Sequence, residues 1–548
     1  MTIEFWQETA ELKRKNVAAQ VPKEWMLERV PTPEEEPNAY EYLKKCLPKE
    51  ENDIADLTII ELAQEIARGT FSSLQVTTIF CRRAALLHQL TNCCSEIFFA
   101  RALDRAKELD QYFAQNDKVI GPLHGIPISL KDQVNLEGID SAIGYVSLVN
   151  KPIKRAQISN IANILDDLGA VLYVKTTTPV AMMSAETVSN IYGSTLNSCN
   201  RKVSCGGSSG GEGALVGARA SLLGLGTDIG GSVRIPSGFQ GLYGLRGSSN
   251  RLPYCNIRNS MANQPLVCSV VGPMATDIED LKLFTKLVID SKPWLKDPKC
   301  PPIPWREFKV SEKLSFGFID VSVYSYIHPP IKRALKMVKE RLLKEGHEII
   351  QFEPPISFPQ MAELWHRIVC ADGGREISEE CRRSGEPIRE EILVANDDGS
   401  VSKEACITEF WDDAGLQYKY QQEFDQYWLS TSSMTKTGRP VDGLLLPLLA
   451  VTSYKIGDCK NFFSLFFTQA FNLLDYTVVT TPVTKADRDV DLIETQYQPL
   501  NKLDELSYKY YDPELFHGTP VGIQAVAPRY EEERAIHLSQ TISKVLNS

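Results

Sequence analysis

The sequence predicts an α/β fold: a single large domain with a central mixed β-sheet covered by helices on both faces. Two observations predict it. Helical segments alternate with short apolar strands, the pattern of a sheet wrapped on both sides. The 548 residues also contain no internal repeat, no low-complexity tract and no clear interdomain linker. Length alone would allow several domains, but a long α/β chain can form one core.

The elements follow in order. Residues 1–55 are polar, charged and punctuated by Pro22, Pro31, Pro33 and Pro37, and are expected to form a helical arm around a body at 56–548. Thr58 and Glu61 make a capping box that opens a helix, and Gly69 closes it. Further helices are expected from about Leu74 to Leu90 and from Phe98 to Gln115. ISNIANILDDLGAVLYVK reads as a helix, a stop at Gly169 and a buried strand. LSFGFID is a strand. Pro329 and Pro330 start a helix to Glu345, and Gly346 stops it before the strand HEIIQF. Residues 370–440 are charged and poorly periodic, and are expected to be an insertion over the site or surface. FFSLFFTQAFNLL, residues 462–474, reads first as a core helix and second as a membrane-docking helix.

Composition narrows the function. A net charge of −11 argues against nucleic acid or an anionic membrane as partner. Thirteen cysteines without a C-x-x-C pair read as reduced thiols of a cytoplasmic protein. No His/Cys set has zinc-ligand spacing, so no metal and no cofactor are expected. The start MTIEFWQETAELKRKN lacks an apolar h-region, and no stretch of 18 apolar residues occurs, so neither a secretory leader nor a transmembrane anchor is expected.

Chemistry concentrates between Gly206 and Leu245. Glycine in a helix or strand interior costs about 0.5–1 kcal/mol relative to alanine. So dense a run implies backbone placed where a side chain could not fit. Ser208 follows Gly206-Gly207, and Ser232 follows Gly230-Gly231. A serine on a glycine hinge beside exposed N–H groups suits a nucleophile next to an oxyanion hole. A flexible linker would not carry Leu215, Leu222, Leu223, Leu225, Ile229, Val233 and Ile235. A P-loop needs a Gly-Lys-Ser/Thr end, and no lysine lies between Lys202 and Lys282. The dinucleotide fingerprint fails because Gly230 comes one residue too late after Gly224 and Gly226. Gly206-x-Ser208-x-Gly210 and Gly207-x-Ser209-x-Gly211 do fit the nucleophile elbow of α/β-hydrolases, a short pattern that glycine-rich sequence produces by chance.

A second block, GPLHGIPISLKDQVNLEG at residues 121–138, holds a lysine, Lys131, at the end of an apolar run. Alone it reads as snorkelling to solvent. Together the blocks GIPISLKDQ, GGSSGGEGAL, GLGTDIGGSVRIPSGFQGLYGLRG, VGPMATDIEDL and GTPVGIQAVA resemble the amidase signature family. The resemblance spans about residues 55–545 and is densest at 121–282. Within the family the chain is most similar to fungal acetamidase-type enzymes and fatty acid amide hydrolases.

The resemblance implies that 56–548 is the amidase domain. It also implies a Ser-Ser-Lys triad that hydrolyses a carboxylic acid amide to the carboxylate and ammonia. In it Ser232 is the nucleophile that carries the acyl-enzyme, Ser208 shuttles the proton from a cis peptide after Gly207, and Lys131 is the neutral general base. The chemistry agrees: burial disfavours an ammonium, and Ser-Lys pairs replace histidine in some hydrolases. The backbone N–H groups of Ile229, Gly230, Gly231 and Ser232 would hold the oxyanion. Asp228 and Arg234 look like a buried pair that orients this loop, Asp132 like a support, Ser209 like a hydrogen-bonding neighbour and Cys205 like packing. His124 reads as a loop histidine.

Substrate preference rests on Met182 and Ser184, which match positions near the active site in similar enzymes. Small to medium apolar primary amides are expected. VDGLLLPLLAVTSYKIG, residues 441–457, departs from the form common in acetamidase relatives, which puts an acetamide-sized pocket in doubt. The expected partner is a small-molecule amide and not a nucleic acid, and the reading leaves room for a homodimer. Two alternatives stand: a fatty acid amide hydrolase, and an α/β-hydrolase-type esterase using Ser208 or Ser209 with His517 or His537.

Overall fold

The computed structural model describes residues 4–308, 313–392, 403–461 and 466–548. Its strands are β1 (Cys94–Ile97), β2 (Pro127–Lys131), β3 (Val171–Thr176), β4 (Val188–Ser189), β5 (Gly193–Ser194), β6 (Leu223–Asp228), β7 (Tyr243–Arg246), β8 (Val270–Ala275), β9 (Ser315–Phe318), β10 (Glu348–Gln351), β11 (Gly443–Pro447), β12 (Thr477–Lys485) and β13 (Pro520–Ala527). β4 and β5 form a small hairpin. The other eleven make one sheet in the order β1-β3-β2-β6-β8-β7-β12-β13-β11-β9-β10. It is mixed: β2 runs parallel to β3 and β6, and β9 parallel to β10 and β11, while β6, β8, β7, β12 and β13 alternate in direction.

Helices cover both faces, and the strand residues show it. Side chains alternate across a strand. Leu445 and Val479 join one apolar core, with Ala535, Ile536, Leu538 and Ile542 of the helix Glu532–Asn547. Their neighbours Leu444, Leu446 and Val478 join another, with Phe358, Leu364 and Trp365 of the helix Phe358–Val369. β6, β8 and β13 are buried along their whole length, which explains their mainly apolar runs, broken by Thr227 and Asp228 at the end of β6 and by Gln524 in β13.

The helices at Ile59–Ala67, Ser73–Thr91, Phe99–Asn116, Asn160–Asp167 and Pro329–Lys344 lie where the sequence expects them, as do β3, β9 and β10. The arm contains helices Glu4–Ala18, Ala39–Cys46 and Lys49–Ala55. Arg201 latches it, donating to the carbonyls of Pro31, Thr32 and Glu36.

Residues 370–440, the expected insertion, carry regular structure that their poor periodicity does not announce. They include helices Arg375–Ser384 and Ile407–Ser430, while 393–402 lie outside the described residues. Only Gln417, Phe424 and Trp428 of the longer helix are buried, so its 3.6-residue period is too sparse to read among charged and aromatic neighbours. Of the apolar run at 462–474, the structure forms the helix Phe466–Leu473, and 462–465 lie outside the described residues.

Candidate functional site

The site lies at the carboxyl ends of two parallel neighbours, β2 and β6. Ser129 pairs with Gly224 and Leu130 with Leu225. This register carries Lys131 and Asp228, the last residues of the two strands, to one end of the sheet. Lys131 does not snorkel. It is completely buried, and its Nζ donates to Ser208 Oγ at 2.8 Å and to Thr227 Oγ1 at 2.9 Å. Thr227 Oγ1 in turn donates to Gln133 Oε1 at 2.5 Å. Burial drives the ammonium pKa down from 10.5 to about 7, although the carboxylates of Asp228, Glu212 and Asp132 pull the other way. Lys131 is therefore an amine that can take a proton near neutral pH.

Ser208 is placed by the turn that precedes the helix Gly210–Gly217. The Gly207–Ser208 peptide is cis. A Cβ on Gly207 would lie 2.7 Å from the carbonyl oxygen of Ser184, so only glycine lets segment 184–186 approach. Ser209 ties this turn to the next. Its Oγ donates to the Thr227 carbonyl and accepts from the Thr227 N–H, both at 3.2 Å, while its own N–H donates to the Ser232 carbonyl at 3.1 Å.

Ser232 sits in the turn between β6 and the helix Arg234–Gln240. It is 8% exposed, against 1% for Ser208 and 0% for Lys131, so it is the member of the group that faces open space. The turn is built on a buried ion pair. Arg234 donates Nη2 and Nε to the two oxygens of Asp228 at 2.9 and 3.0 Å. Burial pushes the Asp228 carboxyl up, but the Arg234 guanidinium and the Asn472 amide more than reverse this and hold it well below the usual range. Asp228 also accepts from the N–H groups of Gly231 and Val233 at 2.9 and 3.1 Å. The remaining guanidinium N–H groups reach the Thr468 carbonyl, Gln524 Oε1 and Asn472 Oδ1.

These contacts sort the four expected oxyanion donors. Gly231 N–H is engaged by Asp228, so it is not free for a ligand as expected. The N–H groups of Ile229, Gly230 and Ser232 have no acceptor among the described residues. The carbonyls of the turn are fixed from the far side: Trp365 Nε1 donates to Ile229 O at 2.8 Å, and Thr468 Oγ1 to Gly230 O at 2.6 Å.

Met182 and Ser184 line a cavity beside Ser232, with Met183, Ile229, Gly230, Ile235 and Trp365. Its volume is about 20 Å³, and about 10–15 Å³ is needed for one water. Ala181 and Met182 both have left-handed backbone, φ 58° and 60°. Such conformations cost about 1–3 kcal/mol each and cluster at functional sites. Ser184 Oγ lies 3.4 Å from Cys459 Sγ.

The remaining expectations fall on supporting residues. Asp132 accepts from Ser95 Oγ at 2.8 Å and from Ile143 N–H at 2.6 Å, and faces the buried Lys175 at 3.7 Å. Cys205 is buried, and burial pushes its thiol pKa up. All thirteen cysteines are free. His124 accepts from Ile120 N–H and packs on Phe113. Among the described residues no histidine hydrogen-bonds Ser208, Ser209 or Ser232, so the esterase alternative has no base in place. One set does gather potential metal ligands, which the spacing did not predict: His88, Cys93 and Cys94 have ligand atoms within 4.8 Å. His88 Nδ1 there already accepts the Cys94 N–H at 3.1 Å. Sequence reasoning missed Gln133, Thr227, Trp365, Thr468, Asn472 and Gln524. Gln133 and Thr227 adjoin the two blocks and could have been suspected; the other four lie far along the chain and carry no local signal.

The chain as a whole is similar to known amidases. The family model described as Amidase matches residues 75–536. An acetamidase of Emericella nidulans is 37% identical over 99% of this chain and 98% of its own length. One of Aspergillus oryzae is 38% identical over 99% of each. Among solved structures, a fatty acid amide hydrolase superposes with a TM-score of 0.92 at 32% identity, over 99% of this chain and 95% of that one.

Proposed function

The chain belongs to the amidase family and is an amide-cleaving hydrolase, and we propose that it cleaves small to medium apolar primary amides through an acyl-enzyme on Ser232. The observation that carries this reading is the 2.8 Å contact between a fully buried Lys131 and Ser208.

Lys131, neutral at the start, accepts the Ser208 hydroxyl proton while Ser208 accepts that of Ser232. Ser232 Oγ forms a bond to the amide carbon, and the carbonyl π pair moves to oxygen. The oxyanion is held by the free N–H groups of Ile229, Gly230 and Ser232. The proton returns through Ser208 to the leaving nitrogen, the C–N bond breaks, and ammonia departs. Water then attacks the Ser232 ester by the same relay and releases the carboxylate. No cofactor is needed for these steps.

Met182, Met183, Ile229 and Ile235 give the cavity apolar walls, which supports an uncharged acyl group. The fatty acid amide hydrolase reading keeps support from the superposition with that enzyme. No described helix is long and apolar enough to cross a membrane. Thirteen free thiols support a cytoplasmic setting, and the charge of −11 supports the absence of a nucleic-acid partner. Ammonia release from acetamide, butyramide, hexanamide, benzamide and oleamide tests the reading. The short amides should be the best substrates; a strong preference for oleamide would move the chain to the lipid-amide branch.

A further inference from the structure

We propose that Trp365 sets the upper limit on acyl length and, through its indole N–H, aims the Gly230 amide at the substrate. The inference rests on the reading of Ser232 as nucleophile and of the 229–232 turn as the oxyanion site. It assigns the selectivity to one residue on a different part of the chain.

Trp365 lies on the helix Phe358–Val369, which starts at a capping box of Ser357 and Gln360 and buries Phe358, Met361, Leu364 and Ile368 along one face. The side chain is 1% exposed, so the ring is held by its surroundings. Two contacts join it to the turn. Nε1–H donates to Ile229 O at 2.8 Å. The ring edge lies on the next residue: a Cβ built on Gly230 would be 2.9 Å from Cζ2 and 3.4 Å from Cη2.

The first contact fixes a direction. The Ile229 carbonyl and the Gly230 N–H belong to one planar peptide unit and point opposite ways. With the carbonyl held by the indole, the Gly230 N–H turns away from Trp365. Thr468 does the same for the next unit, but there the N–H is engaged by Asp228. Of the two carbonyl clamps, only that of Trp365 leaves its amide free.

The second contact fixes a distance. The ring is one wall of the cavity beside Ser232, with Met182, Met183, Ile229 and Ile235 among the other apolar walls. Methionine walls can adapt, since their side chains are unbranched and flexible. An indole buried on a packed helix and held by a hydrogen bond does not.

Two substitutions separate the roles. Trp365→Leu removes the ring. The kcat/KM for hexanamide relative to acetamide should rise at least tenfold over the wild-type ratio, since each newly buried CH₂ is worth about fourfold. Trp365→Phe keeps a ring and removes the N–H. There kcat should fall roughly 10–100-fold on every amide, while the hexanamide-to-acetamide ratio should rise less than in Trp365→Leu, because the Phe ring fills part of the space but lacks the Cζ2–Cη2 edge that lies on Gly230. The magnitude is set below the 10²–10³-fold loss typical of deleting an oxyanion donor outright. A Trp365→Leu ratio equal to wild type would overturn the length limit. An unchanged kcat in Trp365→Phe would overturn the aiming role. Fluorophosphonate labelling, read by peptide mapping, is the control. Wild-type stoichiometry at Ser232 shows that each variant is folded, and Trp365→Met replaces Trp365→Leu if that variant fails. No label at Ser232 in wild type would sink the nucleophile reading instead.

Discussion

The floor of the site and its roof use different parts of the chain and different forces. The floor is Lys131, Ser208 and the 228–234 turn. It is polar and buried, and hydrogen bonds join Lys131 at the end of β2 to Ser208 before the helix Gly210–Gly217, and Asp228 to Arg234 within the turn. The roof is the helices Phe358–Val369 and Phe466–Leu473, which reach the turn with one indole N–H, one hydroxyl, the Asn472 amide and the Thr468 carbonyl, and otherwise present mainly apolar side chains. The floor can hold charge and move protons; the roof can only shape and aim. On this division, damage to the floor should abolish chemistry on every substrate, and damage to the roof should change which substrate is preferred.

The largest effect is expected at Ser232. Ser232→Ala should leave no measurable turnover with a folded protein, checked by ammonia release and circular dichroism, and should not react with a fluorophosphonate. Residual activity with labelling at Ser208 or Ser209 would break the floor as described. Next comes Lys131→Met. Loss of base assistance typically costs about 10²–10⁴-fold in rate. In wild type kcat/KM should rise with pH and level off above about pH 7, where the buried amine has lost its proton. A profile that climbed toward 10.5 would mean an unshifted lysine. Stability has a matching sign. Between about pH 7 and 10.5 the unfolded chain holds this proton and the folded one does not, so wild type should gain stability relative to Lys131→Met as pH rises through that window. Urea melts at several pH values would show it.

Arg234→Met probes the joint between floor and roof, because its guanidinium bonds Asp228, Asn472, Thr468 and Gln524 at once. Leaving Asp228 buried and unpaired should cost about 3–5 kcal/mol of stability, read as a drop in melting midpoint. The smallest effect is expected from Thr468→Val, which removes the hydroxyl that donates to Gly230 O. About 0.5–1.5 kcal/mol is the usual net value of such a bond, and the change should appear as a few-fold loss in kcat without altered chain-length preference. A shift in preference there would blur the roles given to Trp365 and Thr468.

The floor was legible in the sequence because its chemistry is local. Gly207, Gly230 and Gly231 mark close backbone approaches beside the two serines, and Lys131 ends an apolar strand. Helix limits such as Thr58-x-x-Glu61 and the Gly169 and Gly346 stops are local too. The engagement of Gly231 N–H by Asp228 was not legible, since it depends on the carboxylate rotamer that Arg234 imposes. Nor was the helix Ile407–Ser430, whose few buried residues are diluted by polar ones. Trp365 carries no signal at all: a tryptophan on an amphipathic helix reads as core, and only the sheet order and the fold of the helices bring it to Gly230.

Gln524 gives the site a timetable. It lies on β13 and accepts from Arg234 across 290 residues of chain. At about 5–20 residues per second, a ribosome takes roughly 15–60 s to travel that distance. During this interval the nascent chain already contains Lys131, Ser208 and Ser232, but the acceptor that completes the Arg234 network has not been made. The strand that will occupy the middle of the sheet, between β12 and β11, is missing as well. A growing chain therefore carries Ser232 in an unfinished setting until β13 is made, near the end of synthesis.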